Sequence, residues 1–246
     1  DTLNKAGNSA QAQALYEQII SRWPNDVVAH NGLADTLNKA GNSAQAQALY
    51  EQIISRWPDD QVALHGLANL HRQQGRMDEA LALLTEPETV TTLQQCYDLH
   101  LIGMIRFGQN KLDEAERIFN KGAALAPIPK EQALFQKGLS LVLLKKGDIE
   151  QAEERLIALP PEYATQPDAR VICIFTRVRL EQADIARKAY QKLMKNVGQM
   201  NPQTKAALTV IAEKYRLDQP NAALPKLDQA SNDEIIAKLV EMELAA

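Results

Sequence analysis

The sequence predicts an all-α protein, a solenoid of antiparallel helix hairpins. Three observations carry that prediction. Residues 1–24, DTLNKAGNSAQAQALYEQIISRWP, recur without change at 35–58, thirty-four residues later. A fixed period of this size marks an array of stacked units, each burying its apolar face on its neighbours rather than in one closed core. Alanine, leucine and glutamine are abundant, which suits helices. Alternating runs bounded by Asn-Gly or Asp-Gly turns, the signature of hairpin strands, are not found.

The complete unit Val27–Asp60 shows how each element arises. Val28, Leu33, Ala34 and Leu37 give its first helix an apolar face. Gly41 breaks that helix, and Asn42-Ser43 supplies a cap for the next. Ala46, Leu49, Tyr50, Ile53 and Ile54 then recur at three- and four-residue steps, one buried helical face, and Pro58 ends it. The unit at 61–94 repeats the pattern through Leu64, Leu67, Ala68, His71, Gly75, Ala80 and Leu84; Pro87 predicts that its second helix stops near Glu86. The unit at 96–129 carries Leu99, Ile102, Gly103, Ala115, Phe119 and Gly122, with Asn110 at the turn, where Asn tolerates a left-handed backbone. The unit at 130–166 carries Leu139, Ser140, Leu143, Gly147, Ala152 and Leu156, with Pro129 starting its first helix. Residues 167–200 read as a divergent hairpin, with Val171, Ile174 and Val178 on one helix and Ala186, Tyr190 and Leu193 on the other. Residues 201–246 read as capping helices over 201–217 and 231–244, the second opened by a Ser231–Glu234 capping box. The first stretch, 1–26, supplies mainly a second helix with its turn at Gly7, so the chain is expected to open inside a unit and to be a fragment of a longer array.

In these residues the chain resembles the tetratricopeptide repeat family. Unit Val27–Asp60 offers His30, Leu33, Ala34, Leu37, Gly41, Ala46, Tyr50, Ile53 and Pro58 at the family's signature positions; Leu37 and Ile53 depart from it but stay apolar. The match is strong to about residue 160. The resemblance implies a right-handed superhelix with first helices lining a concave groove, close approach of paired helices at Ala46, and Tyr50 filling the gap to the next unit. It also implies which residues face the groove: Asn31, Asp35, Asn38 and Lys39, with Val28; His65, Asn69 and Arg72, with Val62; Tyr97, His100, Met104 and Phe107; and Lys137 and Leu141, with Leu144 and Lys145. The early groove is polar and suits an extended peptide, because Asn and Arg offer several hydrogen-bond donors. The later groove is apolar and suits an amphipathic helix, unless the chain's own C-terminal helices cover it. The subset of the family that clamps a terminal carboxylate sets Lys and Asn four apart; Asn31 with Asp35 and His65 with Asn69 do not match, and Asp35 would repel such a ligand.

Composition narrows the rest. The net charge of −4, with both signs interspersed, argues against general nucleic-acid binding, which needs a basic face. No apolar run approaches the roughly eighteen residues of a membrane span. Cys96 and Cys173 sit on different units and predict free, buried thiols rather than a disulfide; they fit a cytoplasm and do not forbid a periplasm. His65 and His100 share a groove position about 10 Å apart, a helix-to-helix spacing, but zinc needs four ligands at about 2 Å, so no metal or other cofactor is expected. His30 and His71 are expected in the core. Trp23 and Trp57, each before a closing proline, are expected to pack between units. No nucleophile elbow, phosphate loop or HExxH helix is present. The sequence therefore predicts a non-catalytic scaffold for a protein or peptide. Its alternatives are self-association through the N-terminal repeat, or a regulatory region of a larger bacterial enzyme or envelope protein.

Overall fold

The computed structural model describes residues 9–91 and 93–244, with 93–95 described by their backbone alone. The expected turn at Gly7 lies outside them. Regular structure among the described residues is helical throughout, and the chain divides into two compact parts, Asp1–Ile105 and Arg106–Ala246.

The first part holds α1 (Ser9–Arg22), α2 (Val27–Lys39), α3 (Ser43–Arg56), α4 (Gln61–Gln73) and α5 (Met77–Ala82), and most of α6 (Leu93–Gly108). Asp26 and Asp60 start α2 and α4: each accepts from the backbone N–H three residues on, at 3.0 and 2.8 Å, which satisfies one of the orphan donors of a helix start. Gly41 and Gly75 end α2 and α4 with φ of +83° and +79°, a conformation that favours glycine. Helices α1 to α5 each pack on the next in sequence, and α2 also lies beside α4. Ala34 and Ala46 are fully buried where α2 meets α3, and Leu37, Tyr50, Ile53, Leu67 and Leu70 complete the core. Tyr50 reaches the following unit as expected. Its ring lies 2.5 Å from where a Cβ on Gly66 would stand, and Tyr16 meets Gly32 in the same way at 2.4 Å. Glycine is required there by close approach, not by backbone angle.

Three local expectations are corrected. Helix α5 ends at Ala82, four residues before Glu86. Asp98 Oδ2 takes the Thr85 N–H at 3.1 Å, and the residue before Pro87 avoids helical angles, so the chain leaves the helix early. Asn42 precedes α3 without a side-chain capping bond. Of the two tryptophans, Trp57 packs on the core that residues 34–53 share with Ala63, Leu67 and Leu70 and meets His30 edge-on, with ring centres 5.5 Å apart, whereas Trp23, also expected to pack between units, is 53% exposed.

The second part holds the end of α6, then α7 (Leu112–Leu125), α8 (Pro129–Lys146), α9 (Ile149–Ile157), the single turn α10 (Pro161–Ala164), α11 (Pro167–Arg179), α12 (Ala183–Met194), α13 (Pro202–Tyr215) and α14 (Gln229–Glu243). Asn110 takes the left-handed conformation before α7, φ +60°, and Pro129 opens α8, both as expected. Phe119 packs against Gly138, the same aromatic-on-glycine contact seen at Tyr50 and Gly66. The last helix starts earlier than expected. Asp228, not Ser231, caps α14 by accepting the Ser231 N–H at 2.8 Å. It therefore occupies the cap position three residues ahead of the one Ser231 would have held. Helix α13 packs on α11, whereas α14 packs on α13, α11 and, further back, on α8.

Candidate functional site

The groove candidates sort into two groups once their surroundings are known. In the first part, α2, α4 and the start of α6 present Asp35, Asn38, Lys39, His65, Asn69, Arg72 and Tyr97, all at least partly exposed. Lys39 Nζ pairs with Asp35 Oδ2 at 2.6 Å along one helix face. Arg72 donates from Nε and Nη2 to Asn69 Oδ1 at 3.1 and 3.0 Å, which fixes the guanidinium plane. Burial pulls the Arg72 pKa below its usual value, yet these hydrogen bonds go to a neutral amide. His65 stands edge-on to Tyr97, with ring centres 6.4 Å apart.

The second group is covered by the protein itself, and here the expectation from sequence is corrected. Asn31, His100, Met104, Phe107, Lys137 and Leu141 are buried, none more than 8% exposed. Acidic side chains outside the apolar pattern tie several groove positions down. Asn31 Nδ2 donates to Asp60 Oδ1 at 2.9 Å. His65 Nδ1 lies 3.3 Å from Asp98 Oδ1. Lys137 Nζ lies 2.5 Å from Asp168 Oδ2 and 2.9 Å from Glu243 Oε1. Asn31, His65 and Lys137 occupy the same position in their units, and each reaches an aspartate at or near the start of the next first helix. This position locks unit to unit. The signal that could have found it is the recurrence of Asp26, Asp60 and Asp168 near helix starts.

The ionic group around Lys137 is buried on all sides. Burial works against the Lys137 charge, but Glu243 and Asp168 outweigh it and raise its pKa. Burial raises the Glu243 pKa, and Lys137 opposes that rise.

Among the described residues no three His, Cys, Asp or Glu side chains come together as metal ligands, and no helix is long and apolar enough to cross a membrane. Neither cysteine is in a disulfide; Cys96 is buried, and burial pushes the Cys173 thiol up to about 11, which leaves little reactive thiolate near neutral pH. His71 is buried, and burial with the nearby Arg76 lowers its pKa.

Comparison with known proteins agrees with this architecture. The family profile described as tetratricopeptide repeat matches residues 3–55 and 37–87. Residues 3–87 are tetratricopeptide repeats by these matches. Among solved structures, it is similar to a chain of the APC/C hetero-tetramer Cut9-Hcn1, with 14% identity and a TM-score of 0.63 over 96% of this chain. The match spans 47% of that longer chain. It is also similar to a tetratricopeptide repeat protein from Parabacteroides merdae ATCC 43184, with 14% identity and a TM-score of 0.58, covering 97% of this chain and 94% of that one. At this identity the likeness is one of fold. No curated protein matches the sequence.

Proposed function

We propose that this chain is a non-catalytic scaffold that holds a protein or peptide segment across the faces of α2, α4 and the start of α6. One observation carries the reading. Asn69 and Arg72 form a rigid, partly exposed pair whose guanidinium is partly desolvated and held by an amide oxygen. Such a group suits a backbone carbonyl or carboxylate of an extended ligand, because charge-assisted hydrogen bonds to arginine are the stronger kind. Asn38 and Tyr97 add a further polar group and an amphipathic ring, and tyrosine and arginine are side chains enriched at binding surfaces. The test is capture of partners from the source cell by the whole chain and by an Asn69→Ala/Arg72→Ala variant. The reading expects a partner retained by the first and lost by the second. Equal capture would move the contact elsewhere.

A second reading, self-association through the N-terminal repeat, is favoured by one comparison inside the chain. Helices α1 and α3 have the same sequence, but Leu15 and Trp23 are 46% and 53% exposed while Leu49 and Trp57 are packed on the core, and Val28 nearby is 74% exposed. Sedimentation across a concentration series decides it: association that disappears in Trp23→Ser/Val28→Ser supports the reading, and a constant monomer opposes it.

A further inference from the structure

The connection between α13 and α14, residues 216–228, is held down along its length. Leu217 is fully buried, and Arg187 of α12 donates from Nη2 to the Ala222 carbonyl. Asn232 of α14 donates to the Leu227 and Asp228 carbonyls at 3.4 and 3.0 Å and accepts from Tyr215 Oη of α13 at 3.0 Å. A cavity of about 590 Å³ lies between this connection and the helices around it, with walls from α11, α13 and α14. Its size falls in the range of small-molecule sites, roughly 300–1,000 Å³. The bonds just named fix its walls before any ligand arrives, which lowers the cost of binding.

Charge on these walls is unmatched. Arg179 lines the cavity, and among the described residues its guanidinium meets no hydrogen-bond acceptor; it stands over the Phe175 ring, 5.8 Å from the centroid, with Nη1 buried. A buried N–H without an acceptor carries a desolvation cost that a bound acceptor removes. Lys226 lines the same cavity and has no ion pair among the described residues. The neighbouring acids are engaged elsewhere. Asp228 caps α14, Asp233 meets Lys145 at 2.6 Å, and Glu234 meets Lys214 at 2.8 Å. Asp233 feels the Arg179 charge without bonding to it. Glu181 is the carboxylate on the wall, against two cations. The side-chain amides are spent as well: Gln229 Nε2 donates to Asp233 Oδ1 at 2.8 Å, and Asn232 is bonded as above. The donors left for a ligand are thus the two cations, while Val178, Leu224 and Leu227 supply apolar surface.

We propose that this cavity binds a small organic monoanion, a carboxylate on an apolar body, with Arg179 as its anchor and Lys226 as a second cation. An excess of one positive charge matches one negative charge. A phosphate ester would bring a second negative charge towards Glu181.

The site lies wholly in the second part, so it holds or fails separately from the α2–α4 surface. The experiment titrates the full chain with hexanoate, hexanol and hexyl phosphate at about pH 8, where the phosphate is a dianion. Binding is read by NMR from backbone amides and arginine Nε–H signals. Hexanoate should saturate by about 10 mM, the weak end of ordinary efficiency for so small a ligand. It should shift the Arg179 Nε–H with the amides of Leu224, Lys226 and Leu227. Hexanol should bind at least about tenfold more weakly, because hydrogen bonds between arginine and a carboxylate are charge-assisted. Arg179→Met should weaken hexanoate to the level of hexanol, and Arg179→Lys should keep part of the difference. The urea midpoint of Arg179→Met should match that of the unaltered chain, since the guanidinium has no protein acceptor to lose. A marked fall in that midpoint would make Arg179 a group that serves the fold and overturn its assignment; the comparison of hexanoate with hexanol on the unaltered chain needs no variant. Equal binding of hexanol, tighter binding of hexyl phosphate, or no saturation with hexanoate overturns the proposal. A peptide with a free terminal carboxylate that displaces hexanoate at lower concentration would assign the cavity to a partner protein, against a small molecule.

Discussion

Gly66 is the sharpest packing constraint in the unit that follows Tyr50. A Cβ there would stand 2.5 Å from the Tyr50 ring, far inside contact distance. Gly66→Ala is expected to cost about 1–3 kcal/mol in urea unfolding, the range for overpacking a filled core. In a Tyr50→Leu background the added cost should shrink, since neighbouring sites couple. His71 gives a pH-dependent counterpart. Its folded pKa lies below the ordinary histidine value of 6.5, so the unfolded chain takes up a proton first as pH falls. Stability from this residue is fully present above 6.5 and is lost as pH drops through the folded value. His71→Leu should flatten that part of the stability–pH curve, measured as the unfolding midpoint between about pH 7 and pH 5.

Among the elements, helix starts are legible in the sequence where a backbone constraint is local, and poorly legible where a side chain chooses among competitors. Pro129 fixes its own φ and Asn110 tolerates the left-handed turn, and both stand where expected. Ser231 is not the cap, because Asp228 three residues earlier does the same work with a charged acceptor. Asp98 shows the other kind of miss. Its carboxylate is fixed by tertiary contact, taking the Thr85 N–H at 3.1 Å and standing 3.3 Å from His65 Nδ1, and no periodicity announces that. Asp98→Ala leaves a partly buried N–H without its acceptor and should cost about 1–3 kcal/mol, read by thermal or urea unfolding. Asp60→Ala should cost about 1–2 kcal/mol through the lost cap of α4, measured in the same way.

For the whole molecule, the thirty-four-residue period makes the helix–turn–helix architecture legible in the amino-acid sequence alone, because an exact repeat is a statement about units and not about single residues. The candidate site is legible only in part. Position in the unit groups Asn31, His65 and Lys137, but it cannot say whether a side chain at that position meets solvent or an acid of the next unit. Nor can it show that α14 seats its acids on Lys137 and Lys145. What remains open to a partner in the first part is the surface of Asn38, Asn69, Arg72 and Tyr97. Amide hydrogen exchange of the whole chain, with and without a captured peptide partner at saturation, tests that account most directly. The account predicts slowed exchange in α2 and α4, absent in the Asn69→Ala/Arg72→Ala variant. Slowed exchange confined to α3 and α5, or equal in the variant, would contradict it.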